Sequence, residues 1–152
     1  MIVMCVDPGN NGTGIAIWNE FKKENLPVHV KSYSRKTFDD YMVLLAELIK
    51  EYDVEKVYIE QAAYHGTGSV KGQAAAAKGD LIKLAELIGG FRAICYLSES
   101  YVELVPVIKW KGQLPKEVVK KRILKVWEGC TATNHDWDAV GIGFYLLGLI
   151  NR

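Results

Sequence analysis

The apolar run Ile2-Val3-Met4-Cys5-Val6 ends in Asp7, and the residues that follow, Pro8-Gly9-Asn10-Asn11-Gly12-Thr13-Gly14, are turn formers. A carboxylate at the tip of a buried strand is costly unless something pairs with it. The turn formers reverse the chain, and Ile15-Ala16-Ile17-Trp18 returns as a second strand, antiparallel to the first. Residues 2–18 therefore predict a hairpin that holds an acid rigidly at its mouth, within reach of a cation. A lone Asp-Pro-Gly more often closes only its own turn. Acids further along the chain change that reading.

Strands are expected at 2–6, 14–18 and 28–33. A helix is expected at 38–51, where Tyr41, Leu44, Leu45, Leu48 and Ile49 recur at helical spacing. Thr37 with Asp40 three residues on resembles a helix N-cap signal. Val57-Tyr58-Ile59-Glu60 is short and almost wholly apolar, as central parallel strands are. The glycine-bearing loop at 65–68 leads to a second expected helix at 73–87, followed by a last strand at 102–107. Closing helices are expected at 116–128 and 136–150, with Pro115 suited to the first turn of the former. Strands alternating with helices predict an α/β domain with a mixed sheet covered on both faces. Its first three strands are close enough in sequence for an antiparallel meander; the later two need parallel crossovers.

The chain has 152 residues, 49% hydrophobic and 24% charged, enough for one domain (1–152) with a real core and too apolar for disorder. Cys5, Cys95 and Cys130 are too widely spaced for a CxxC metal site or a disulfide framework, so a reducing cytoplasm is expected. No secretory leader and no apolar run of membrane-spanning length is found. Net charge is only +1, so any grip on phosphate must come from distribution. The densest basic stretch is Lys109, Lys111, Lys116, Lys120, Lys121, Arg122 and Lys125, although a solvated helix face is the commoner reason for such a run.

Glu60 repeats the logic of Asp7. If its strand runs parallel beside the first, both acids emerge at the same sheet edge, where ligand sites of open α/β sheets gather. In Asn134-His135-Asp136-Trp137-Asp138-Ala139, His135 and Asp138 share one helix face, which continues as Ile142, Tyr145 and Leu149 and must pack on the sheet. Helix-dipole stabilisation accounts for Asp136 and could account for Asp138, but not for His135. Two strand-tip carboxylates with a His/Asp pair form an oxygen-rich set with one nitrogen, suited to Mg²⁺ or Mn²⁺. Two such ions ~4 Å apart would relieve the repulsion and clamp both oxygens of a phosphodiester undergoing displacement. Asp7, Glu60, His135 and Asp138 are thus the expected metal-binding and catalytic residues.

Asp7-Pro8-Gly9 with Thr13-Gly14, Glu60-Gln61, and His135 with Asp138-Ala139 resemble the RuvC family of Holliday-junction resolvases, whose fold is RNase H-like. Lys109 and Lys116 resemble that family's basic pair. The resemblance spans nearly the whole chain. It implies an RNase H-like five-stranded mixed sheet flanked by helices, and a homodimer that cuts symmetric strands of a four-way junction with Mg²⁺. Some members carry Asp where His135 stands. The family's junction-probing aromatic follows Glu-Gln by two residues; here Ala63 holds that position and Tyr64 comes one later. Action on branched DNA in general is therefore expected alongside four-way junctions.

Lys109, Lys111, Lys116, Tyr64 and Trp110 are the expected DNA-binding residues, Trp110 because Lys-Trp-Lys interleaving suits a DNA-facing loop. The other tryptophans are expected in the core or its rim, and His29 on a solvent-facing strand. The small residues of the 73–87 helix make it the expected subunit contact. Two other functions share parts of the pattern. An actin- or sugar-kinase-type ATP-binding domain would need a second lobe. A DNA-binding module without cleavage would not need all four of Asp7, Glu60, His135 and Asp138.

Overall fold

A computed structural model describes residues 1–61, 79–133 and 135–151. Tyr64, Ala63, the 65–68 loop and residues 73–78 of the second expected helix lie outside the described residues. Five strands form one sheet: β1 (Val3–Asp7), β2 (Thr13–Trp18), β3 (His29–Tyr33), β4 (Lys56–Gln61) and β5 (Tyr101–Pro106), in the order β3-β2-β1-β4-β5. β1 pairs antiparallel with β2 (Asp7 opposite Gly14) and parallel with β4 (Val6 opposite Ile59). β4 pairs parallel with β5. The antiparallel meander and the parallel crossovers expected from strand spacing are both present.

Alternation along the strands divides the core into two layers. Met4, Val6, Ile15, Ile17, Val57 and Ile59 point to one face, under α1 (Phe38–Tyr52) and α2 (Asp80–Leu97). Val3, Cys5, Ala16, Trp18 and Val105 point to the other, under α4 (Lys116–Val126) and α5 (His135–Leu146). Asp7 and Glu60 are odd and even members of their strands, yet the parallel register gives them the second face in common, the one α5 covers. α1 begins as the sequence predicts: the Thr37 hydroxyl accepts from Asp40 N–H and the Asp40 carboxylate accepts from Thr37 N–H. Among the described residues no helix is long and apolar enough to cross a membrane.

Three elements differ from expectation. α2 runs to Leu97, ten residues beyond the expected end at Leu87. Gly89-Gly90 does not stop it, because Gly90 is where α1 approaches: a Cβ there would lie 2.5 Å from Phe38 Cζ and 2.6 Å from Met42 Sδ. α5 ends at Leu146 rather than at 150, stopped by Gly148 at φ +69, so Leu149 packs on the core from outside the helix. A one-turn helix, α3 (Val107–Trp110), follows β5 where a strand end was expected. His29 does not simply face solvent; its two ring nitrogens lie 2.9 Å from Tyr33 Oη and 3.1 Å from Tyr52 Oη.

Candidate metal centre

The hairpin mouth is shaped by glycine. A Cβ on Gly14 would lie 2.1 Å from the His135 carbonyl oxygen, on Gly12 3.2 Å from His135 Cδ2, and on Gly9 3.0 Å from His135 Cε1. None of these three glycines has positive φ; Gly12 and Gly14 are glycine because the first turn of α5 lies against the loop, and Gly9 first because a Cβ there would run into the Gly12 carbonyl oxygen of its own turn. The sequence reading saw turn formers there and missed this second requirement. The close approach seats His135 over the end of β1, where Nδ1 lies 2.8 Å from Asp7 Oδ2.

α5 is buried along almost its whole length, from Asp136 to Phe144. Gly141 and Gly143 let it descend onto the tryptophans: a Cβ on Gly141 would meet Trp110 at 2.6 Å, and one on Gly143 would meet Trp18 at 2.2 Å. Asp138, one turn below His135, is buried, with Lys111 Nζ 2.8 Å from its Oδ2. Its other oxygen, Oδ1, is buried and has no partner among the described residues. Asp136 takes no part in this cluster. Its carboxylate accepts from Ser32 Oγ on β3 and from Thr133 N–H and Oγ1, tying the start of α5 to the sheet.

Trp110 corrects the expectation of a base-stacking loop residue. It is 2% exposed, because α3 turns its ring inward against α5, and its Nε1–H donates to Glu60 Oε2 at 3.0 Å. Lys111 likewise turns into the site, where the DNA-facing surface had been expected. Lys109 and Lys116 are exposed, and the charge of Lys116 acts on His135.

Electrostatics follow from burial. Burial, and then the charge of Asp7, push the Glu60 carboxyl up to about 8. Burial also holds Asp7 above the usual carboxylate range, against the pull of its hydrogen bond from His135 and with the help of Asp138. His135 is raised, first by that hydrogen bond to Asp7. Burial opposes the Lys111 ammonium, but Asp138 and Glu60 outweigh it and keep its pKa raised. Such acids are poised for a cation.

Among the described residues no three His, Cys, Asp or Glu side chains converge as a metal-holding group. Lys111 engages Asp138 and His135 engages Asp7. The set still fits a hard divalent cation in kind: it holds three carboxylates with one lysine and one imidazole, and among the described residues a buried carboxylate oxygen is unpartnered.

Solved structures similar to this chain share its architecture across nearly its whole length. Thermus thermophilus RuvC in complex with a Holliday junction substrate aligns with TM-score 0.73 at 16% identity, covering 97% of this chain and 96% of that one. The fold is that of the RuvC resolvases. Fowlpox virus resolvase, solved with substrate Holliday junction DNA, aligns with TM-score 0.65 at 12% identity, covering 97% and 99% of the two chains. No protein-family model matches the sequence, and no curated protein sequence matches it.

Proposed function

We propose that the protein is a divalent-metal-dependent endonuclease that resolves four-way DNA junctions and also acts on other branched DNA. The observation that carries this reading is that Asp7, Glu60 and Asp138, from β1, β4 and α5, lie near enough for each charge to act on the others, with the Asp138 Oδ1 buried and unpartnered among the described residues. Thermus thermophilus RuvC and Fowlpox virus resolvase, which share this fold, were both solved with a Holliday junction as substrate. The buried free thiols of Cys5, Cys95 and Cys130 suit a reducing cytoplasm.

Asp7, Glu60, His135 and Asp138 would hold the metal, Mg²⁺ or Mn²⁺, as two ions per site. Bound ions would supply an acidified water and charge neutralisation on the scissile phosphate. The protein's own residues do the rest. Trp110 fixes one Glu60 oxygen through its Nε1–H. Lys111, paired with Asp138 inside the site, is the cation there that would meet a phosphate oxygen. Lys109 and Lys116, exposed on the same side, hold the flanking backbone, while Tyr64 follows Glu60-Gln61 and would meet bases at the branch. The test is incubation with labelled four-way, flap and linear duplex DNA in Mg²⁺, Mn²⁺ or EDTA. Cleavage of linear duplex at the same rate as four-way DNA, or cleavage in EDTA, would sink the reading.

His135 gives this reading a pH signature. Imidazole binds metal only when neutral, and the Asp7 hydrogen bond raises its pKa above 6.5. The acid limb of the rate profile is therefore expected above pH 6.5, and at lower pH in His135→Asp. The same bond contributes stability that is full below the unfolded pKa and is lost as pH rises through the raised folded value. A rate profile recorded from pH 5.5 to 8.5 with Mn²⁺ checks both variants; identical acid limbs would remove His135 from the ligand set.

Symmetric cutting of a four-way junction calls for two sites facing opposite strands, which a two-fold dimer supplies. α2 supports this arrangement. Away from its buried face it carries an exposed stripe of apolar and small residues: Ile82, Tyr96 and Leu97 are 65%, 82% and 76% exposed, and Ala85, Gly89 and Ala93 between them are exposed too. An exposed apolar stripe of this kind suits a subunit contact. Light scattering at micromolar concentration is expected to give twice the 17.0 kDa chain mass, and Gly89→Glu is expected to give monomers. A monomeric parent protein, with or without DNA, would remove the dimer.

A further inference from the structure

Beside His135, and without Lys109 or Lys116 in its lining, a groove opens between the β1–β2 hairpin and the start of α2. Its inner part, about 550 Å³, is lined by His135, Gly9, Asn10, Lys36 and Lys83. It continues outward as a cleft of about 160 Å³ between the β3–α1 connection and α2, sharing Asn10, Lys36 and Lys83 and adding Arg35. The floor of the cleft is apolar, with Tyr41 and Leu87 buried and Phe38 partly exposed.

Three cations stand on its rims. Arg35, Lys36 and Lys83 are exposed, and none forms an ion pair among the described residues. Asp80 and Glu86 also line the walls, neither in an ion pair with these three among the described residues. Arg35 is held in place rather than free: its guanidinium lies 5.3 Å from the Tyr33 ring centroid, and Nη1–H donates to the Ser34 carbonyl at 3.0 Å. Asn10 Nδ2 donates to the Asp80 carbonyl at 2.9 Å, fixing the hairpin to α2 across the groove. Three exposed cations against two carboxylates leave the groove with a net positive charge, to which an anionic chain is the complement.

We propose that this groove is a second phosphate track, in which Arg35, Lys36 and Lys83 hold a stretch of DNA backbone separate from the one held by Lys109 and Lys116. The inference rests on the nuclease reading and adds to it the path of the substrate. With both sets of cations engaged, the scissile phosphate is suspended between two anchored stretches of backbone. The contacts carry no sequence information, because phosphate oxygens are alike at every base.

The test measures binding of a four-way junction by fluorescence anisotropy from 50 to 300 mM NaCl, in an Asp7→Asn background that prevents cutting. Each lost phosphate contact removes about 0.9 from the slope of log affinity against log salt. Arg35→Gln/Lys36→Gln/Lys83→Gln is expected to flatten the slope by about 2–3. The charge-keeping Arg35→Lys/Lys36→Arg/Lys83→Arg is expected to restore it. Lys109→Ala/Lys116→Ala is expected to flatten it independently by about 1–2, and Lys22→Ala/Lys23→Ala, away from the site, to leave it unchanged. If the triple Gln variant keeps the parental slope while the Lys109/Lys116 variant loses it, the groove proposal falls and the nuclease reading stands. If the parent shows no salt-dependent junction binding, both fall. Slope loss that the charge-keeping variant does not rescue would also overturn the groove, because it would trace to altered folding.

Discussion

Asp7→Asn is expected to abolish cleavage by at least about three orders of magnitude while leaving junction affinity equal or higher. The loss follows from removing a metal-binding charge at nearly constant shape, which takes away the electrostatic stabilisation on which phosphoryl chemistry depends. Binding survives because the grip on DNA is assigned to lysines and arginine outside the carboxylate cluster. The same substitution is expected to stabilise the fold. Glu60 is neutral up to about pH 8 in the folded protein because burial and the Asp7 charge both oppose its ionisation. Its usual value is 4.5, so folding stability is lost as pH climbs from there toward 8. Removing the Asp7 charge relieves part of that cost. One kcal/mol of relief corresponds to a melting temperature about 2–4 °C higher for a chain of this size, with the gain greatest at pH 8 and shrinking toward pH 5. Saturating Mg²⁺ is expected to raise the melting temperature of the parent more than that of the variant. Calorimetry alongside a cleavage assay tests all of this; junction binding lost together with cleavage would mean a folding defect and would undercut the role given to Asp7.

Gly14→Ala carries the second large effect, although the residue has no side chain to do chemistry. A methyl there would sit 2.1 Å from the His135 carbonyl oxygen and 2.9 Å from Asp136 N, both backbone atoms that cannot rotate away. Either β2 or the first turn of α5 must shift. Overpacking of this kind typically costs about 1–3 kcal/mol, so the melting temperature should fall by several degrees. The greater consequence is for catalysis. Displacing α5 by about 1 Å parts His135 from Asp7 and moves Asp138, and misplacement on that scale can cost about 10²-fold in rate. Gly129→Ala, whose added Cβ would meet only Trp127 Nε1 at 4.0 Å, is the matched control. Equal rates for the two alanine variants would show that the contact with α5 does not position the site.

The sheet was legible because its signals are local. Alternation and turn chemistry mark β1 and β2, and the near-continuous apolar run of β4 marks a central strand, even though Tyr58 and Glu60 leave its second face half covered. Asp7, Glu60 and Asp138 were legible for a related reason: an acid at the end of an apolar element is conspicuous. What the sequence hid depends on contacts between distant residues. Nothing local says that Gly14 must admit His135, that Trp110 turns inward to reach Glu60, or that Lys111 enters the cluster while Lys109, two residues earlier, stays outside. The over-early end assigned to α2 has the same cause. Gly89-Gly90 looks like a helix stop until α1 is placed against it.

Asp7 and His135 are separated by 128 positions and joined by one hydrogen bond. Translation is vectorial, so a nascent chain that has released everything through β5 already displays Asp7 and Glu60 but neither His135 nor Asp138. The sheet can begin to assemble, since β1, β2, β3, β4 and β5 are all present, and Arg35 and Lys36 are exposed on it from early on. The four side chains proposed to hold metal are together only once α5 docks. Under the proposed function, a chain that lacks α5 would keep its cations but not the full ligand set, so binding and cutting would separate in time.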